Sequence, residues 1–422
     1  MKFCSKCGTS LADDAQFCSS CGTPCAAQNA ESESKAGNAS TTENNTPKSD
    51  KDTVSAAFNS FTDKISRMTG GSGAVRPPLK TLFSNIFTKH TPRESEDIFI
   101  CGTESTQSEL TDADTAWPRP WLWSRILLVF GIAFVLLHFC CVNFGNTNSF
   151  PGVIFLGAFA IPFAVLMFFF EANTPRNISF FTVLKYFLIG GCASLVVTLF
   201  LFDILNFDLD QYLDAILTGI IEETAKLAIV AAVIYKSPKI KYAINGILVG
   251  AAIGTGFAAF ESAGYAFNIF LTAVFSSGSL SVAYSEMVEN ILLRGILSPG
   301  GHIAWAAIAG YAVMLVKGDA QLSVGFLNKK AFWKIFWIPI ALHAVWDMPF
   351  SFGNSMAGAI LFRLVLVVLA WIVLLVLIGN SLSQIGEILK KNKSALVPPA
   401  PQAEADTPTQ PEQNNQNEKE NE

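Results

Sequence analysis

Two adjacent glutamates, a lysine, a further glutamate, two histidines and an aspartate interrupt the most apolar part of this 422-residue chain. A charge near a bilayer centre costs from ~2.5 kcal/mol upward, so such residues persist where they pair, meet water or do chemistry. The run Ile221-Glu222-Glu223-Thr224-Ala225-Lys226 is the first of them. Neighbours on a helix point ~100° apart, so the two carboxylates face different directions. Lys226 lies i+4 from Glu222 and i+3 from Glu223 and can hold one of them ionised. One carboxylate with that partner and another without it make a serviceable pair for acid/base work. Phe257-x3-Glu261 follows in a run rich in small residues, which permits close helix approach. His302 comes after Pro299-Gly300-Gly301, and His343-x3-Asp347 places an acceptor one turn from an imidazole, where it can fix the tautomer. Each feature alone has a plainer reading: an ion pair joining helices, or a packed histidine.

These residues need several membrane helices to bring them together, and the composition supplies them. Hydrophobic residues make up 51% and charged residues 15%, too few charges for a soluble protein of this length. Apolar runs near the ~20 residues of a membrane helix suggest about eight spans: 122–142, 152–171, 183–203, 213–235, 243–268, 301–317, 332–350 and 357–379. The stretch 276–298 carries Glu286, Glu289 and Arg294 and reads as a surface or re-entrant helix rather than a ninth span. With both termini in the cytoplasm, nearly all loop lysines fall inside and Arg294 is the lone outer cation; nine spans would reverse the later lysines. The first residues hold no apolar run, so no cleavable signal peptide is expected.

Cys4-x2-Cys7 and Cys18-x2-Cys21, each pair followed by glycine, have the spacing of a closed tetrahedral structural zinc site; Cys25 is left over. Such a small module folds on its metal, and its thiolates imply a reducing compartment. Its expected work is docking a cytoplasmic protein partner or capping the assembly. The domain reading is therefore a zinc ribbon at 1–25, a disordered cytoplasmic linker at 26–115, a transmembrane domain at 116–385 and a disordered tail at 386–422. Within the linker, Val54, Phe58, Phe61, Ile65 and Met68 keep helical spacing, as do Leu79, Leu82, Phe83, Ile86 and Phe87. Basic amphipathic helices of this kind lie on a membrane or pack on the protein.

The order Glu222-Glu223-x2-Lys226, Phe257-x3-Glu261, His302, His343-x3-Asp347 resembles the PrsW family of intramembrane proteases, within the broader group that includes the CAAX prenyl proteases. The likeness spans about residues 180–350. The CAAX enzymes instead resemble Glu-Glu-x3-Arg with Phe-x3-His, so prenylated substrates are not implied. What the resemblance implies is an all-α polytopic bundle that cleaves membrane-anchored proteins, in some members an anti-sigma factor, with the seven motif residues as its catalytic set. The residues themselves suggest water activated by Glu222 or Glu223, more readily Glu223, with His343 or His302 assisting and Glu261 orienting. A metal held by Glu222 or Glu223, Glu261, His302 and His343 is the less favoured route, since no His-Glu-x2-His is present. Structural Zn2+ in the ribbon is the one expected cofactor. The bilayer and a protein substrate are expected partners, and nucleic acid is not. Two other classes use the same residues: a proton- or cation-coupled transporter, or a catalytically silent scaffold that recruits a partner through the ribbon.

Overall fold

The computed structural model describes residues 2–3, 10–11, 50–107, 109–205, 209–350 and 355–396. Cys4, Cys7, Cys18 and Cys21, and the tail after 396, lie outside the described residues. At the N-terminus β1 (Lys2–Phe3) pairs antiparallel with β2 (Ser10–Leu11). Among the described residues the α-helices are α1 (Asp50–Met68), α2 (Leu79–Leu82), α3 (Pro92–Phe99), α4 (Leu122–Phe144), α5 (Phe150–Ala172), α6 (Phe180–Lys185), α7 (Gly191–Leu205), α8 (Gln211–Lys236), α9 (Ala243–Ser277), α10 (Leu280–Leu297), α11 (His302–Lys317), α12 (Lys330–Asp347) and α13 (Met356–Leu396).

Six stretches among the described residues are long and apolar enough to cross a membrane: Leu122–Phe144, Thr147–Ala172, Phe180–Leu205, Ala243–Ser277, Leu280–Lys317 and Met356–Ser394. α8, with 26 residues, and α12, with 18, are about 39 and 27 Å long at 1.5 Å per residue, close to the thickness of a bilayer core. Glu222, Glu223 and Lys226 in α8, and Lys330, Lys334 and Asp347 in α12, keep them out of a purely apolar count. Leu128, Val129, Ile132, Val135 and Leu136 leave α4 with an exposed apolar face, as lipid contact requires.

The core hairpin is α9 against α10 and α11. A side chain at Gly246 would meet the Gly310 carbonyl, at Gly250 that of Ala306, and at Gly254 that of His302. Arg294 bonds Ser262 further along the same antiparallel register. α10 therefore lies in line with α11 along the second half of α9, with Ala283, Met287 and Ile291 buried. The stretch is thus a one-sided helix running into α11 rather than a separate apolar span. The stripe at i, i+4 and i+8 faces α9, while Glu286 and Glu289 stay exposed on the other side. Gly250→Ala is expected to force these backbones apart, at about 1–3 kcal/mol for overpacking. Thermal unfolding in detergent micelles reads the loss; an unchanged midpoint would mean the helices are not in contact there.

Residues 50–107 and 109–115 are not a free linker. Thr62 and Ser66 of α1, and Thr69 just after it, are buried. Ser66 Oγ bonds Asn380 of α13 at 2.9 Å, Asn380 Nδ2 donates to Thr69 Oγ1 at 2.8 Å, and Tyr311 of α11 donates to the Thr69 carbonyl at 2.8 Å. The face of α1 that docks carries Thr62, Ile65 and Ser66, and Val54, Phe58 and Phe61 remain exposed.

Candidate active site

Asp210 caps the N-terminus of α8, accepting from the backbone N–H of Tyr212 and Leu213. Gly219 then packs on the backbone of Ile340 and Ala344 in α12. That close approach fixes the rotation of α8 and separates its two glutamates. Glu222 lines a cavity of about 620 Å³ together with Glu261, His302, His343 and Asp347. Glu223 does not line it. Its side chain is fully buried and accepts from Lys226 Nζ and from His343 Nδ1, each at 2.8 Å.

Lys226, also fully buried, does more than pair with one glutamate. Its ammonium contacts Glu223 at 2.8 Å, Glu222 at 3.4 Å and His302 Nδ1 at 2.8 Å, and lies 4.1 Å from the ring centroid of Phe257. The phenylalanine of Phe-x3-Glu thus covers the lysine. An ammonium can only donate, so His302 Nδ1 accepts and its Nε2–H donates to Glu261 Oε2 at 3.0 Å. Glu261 is held in turn by Arg294, whose Nε donates to Ser262 and whose guanidinium stacks on Tyr265 at 4.3 Å. His343 has carboxylates at both nitrogens, Glu223 at Nδ1 and Asp347 at Nε2, the latter at 3.2 Å. Its ring stacks on Trp305 with centroids 4.4 Å apart.

All seven residues singled out by the motifs therefore meet in one place, five of them on the cavity and Glu223 and Lys226 behind it. Arg294, Trp305 and Arg363 were not assigned to it from sequence. Arg363 carried a signal, as a single charge in the apolar stretch 357–379. Arg294 signalled only as an unexplained outer cation. Arg294→Gln is expected to slow cleavage about tenfold to a hundredfold by releasing Glu261 and hence His302, the scale of an outer-shell change. Rates compared at equal folded protein check this; a wild-type rate would remove Arg294 from the site's support.

The donor set suits a divalent ion. Ligand atoms of Glu222, His302 and His343 lie within 4.8 Å of one another. Glu222 Oε2 stands 3.8 Å from His302 Nδ1 and 3.7 Å from His343 Nε2, too long for hydrogen bonds. Tetrahedral zinc with bonds of 2.0–2.1 Å has ligand–ligand edges of about 3.4 Å. Each imidazole already gives its other nitrogen to a carboxylate, Glu261 or Glu223, as metal-bound histidines do. Charge agrees: Asp214, Glu222, Glu223, Glu261 and Asp347 outnumber Lys226, Arg294 and Arg363 by two. Against this, Lys226 contacts His302 Nδ1 and Asp347 lies 3.2 Å from His343 Nε2, and each would have to yield its nitrogen.

Residues 179–378 match the family model for the PrsW family intramembrane metalloprotease. Residues 179–378 are a PrsW-family domain. A protein of Clostridioides difficile (strain 630) described as Protease PrsW is 24% identical over 195 residues, covering 45% of this chain and 74% of that relative. Residues 3–24 match a zinc-ribbon domain. No solved structure matches the chain. The PrsW domain makes this multi-pass membrane protein an intramembrane endopeptidase, and its substrate is a protein in the bilayer.

Proposed function

We propose that this PrsW-family protein cleaves single-span, membrane-anchored proteins near their outer boundary, with Glu222, His302 and His343 holding a divalent ion. The observation that carries this reading is the convergence of those three side chains on one cavity. An ion there supplies Lewis acidity and acidifies a water. The remaining work belongs to the chain's own groups. Glu223 holds His343 by Nδ1, and Nε2 faces Asp347 at 3.2 Å and Glu222 at 3.7 Å, so Asp347 would release that nitrogen to the ion. Glu261, braced by Arg294, does the same for His302. Glu223, the base preferred from sequence, is sealed from the cavity and is assigned to positioning. Asp347, half-exposed at the cavity and beside His343, takes the water's proton and returns it to the leaving amine. Sequence reasoning leaned toward metal-free hydrolysis; the donor spacing and excess negative charge favour the ion.

Both termini are assigned to the cytoplasm by the lysine distribution, which puts the cavity in the outer half of the bundle. Regulators of the anti-sigma-factor kind are the substrate class that this depth suits. Cys4, Cys7, Cys18 and Cys21 are assigned a structural zinc and the docking of a cytoplasmic partner. Co-expression with candidate single-span proteins tests the activity, wild type against Glu222→Gln/Glu223→Gln, read by fragment size. Fragments are expected from wild type alone; the same fragments from the double variant would end the assignment.

A further inference from the structure

A second cavity, about 770 Å³, lies where α8, α11 and α13 end, at the far end of α11 from His302. Four lysines from four segments line it: Lys236, the last residue of α8; Lys241, just before α9; Lys317, the last residue of α11; and Lys391 on α13. One acid, Asp319, faces them. Lysines at helix C-termini often serve only to offset the helix dipole. Elsewhere in this chain a lysine with a structural task has a protein partner: Lys329 donates to the Val316 carbonyl at 2.6 Å, and Lys393 pairs with Asp112 at 2.8 Å. Among the described residues, the side chains of Lys236, Lys241 and Lys391 make no ion pair or hydrogen bond, and Lys317 reaches only the Gly318 carbonyl at 3.3 Å. Like charges gathered around one cavity repel, and an anion inside it relieves them.

We propose that this cavity binds the phosphate headgroup of an anionic phospholipid. A soluble phosphate offers the same charge. The position favours the lipid source, because the lysines sit at the ends of membrane-spanning helices, where basic pockets meet headgroups. An occupant would bridge the ends of α8 and α11, whose other parts carry Glu222 and His302.

The full chain in neutral-detergent micelles is titrated with dioleoylphosphatidylglycerol, dioleoylphosphatidylcholine or inorganic phosphate, reading the thermal midpoint. Phosphatidylglycerol is expected to raise the midpoint saturably, while the other two do little. Lys236→Gln/Lys241→Gln/Lys317→Gln is expected to weaken the apparent affinity for phosphatidylglycerol about a hundredfold. Lys64→Gln/Lys80→Gln/Lys89→Gln, with the same change in net charge, is expected to leave it unaltered. Should the triple variant misfold, Lys391→Gln alone is expected to weaken binding about fivefold. An equal response to phosphatidylcholine, a full response to inorganic phosphate, or equal weakening in the control variant would each overturn the proposal.

Discussion

Glu222→Gln is expected to lower the cleavage rate about a thousandfold or more while the protein stays folded. The carboxamide keeps the volume of the side chain and can still accept from Lys226, which contacts Glu222 Oε2 at 3.4 Å. What it loses is the negative charge between His302 and His343, at 3.8 and 3.7 Å. Removing one preorganised electrostatic group from a water-poor site costs about 10²–10³ in rate, and here the same change also removes a ligand of the proposed ion. Rates in proteoliposomes, normalised to folded protein by thermal unfolding, give the answer. A variant that cleaves at the wild-type rate would show that Glu222 is not part of the chemistry, whatever the cavity looks like.

Lys226→Met is expected to be the most destabilising single change at the site, at about 3–5 kcal/mol for stranding a buried charge. Neither Lys226 nor Glu223 has any exposed surface. Without the ammonium, the Glu223 carboxylate loses its 2.8 Å partner and His302 Nδ1 loses its donor. Glu223 then keeps only the His343 Nδ1–H contact, and its other oxygen has no hydrogen-bond partner. Replacing both members with apolar residues is often close to neutral, so Lys226→Met/Glu223→Leu is expected to regain much of the lost stability and to remain inactive, since His343 loses its Nδ1 acceptor. Denaturant titration of wild type, both single variants and the double variant measures the coupling. A Lys226→Met protein within about 0.5 kcal/mol of wild type, the range of neutral surface changes, would mean the pair is not buried as described.

Much of this site was legible because short-range helical geometry is fixed. The i+3 and i+4 spacings place Lys226 against both glutamates, and i+4 places Asp347 against His343. Helical spacing cannot say which of two adjacent glutamates faces the cavity. That depends on the rotation of α8, set by Gly219 against the backbone of α12, a contact between residues more than a hundred positions apart. For the same reason the favoured base from sequence was Glu223, whereas the cavity is lined by Glu222. Around α10, the exposed charges Glu286 and Glu289 mark its outer face, while the partner of its buried stripe, Ala283, Met287 and Ile291, is α9, which no local pattern names. For the helix at 50–68 the spacing left open a place on the membrane or on the protein. The structure docks it on the bundle through Thr62, Ile65 and Ser66 with Thr69 after them, because Asn380 and Tyr311 supply hydrogen bonds that no local pattern reveals.

The most direct measurement is metal content in a full-length protein whose ribbon ligands are removed, Cys4→Ser/Cys7→Ser/Cys18→Ser/Cys21→Ser, purified in detergent. About one divalent ion per chain is expected, since one set of three donors converges on the cavity, and that ion should be lost, together with cleavage, on adding His302→Ala or His343→Ala. A ribbon-less protein that cleaves its substrate with no bound metal and is indifferent to chelators would contradict the proposed centre.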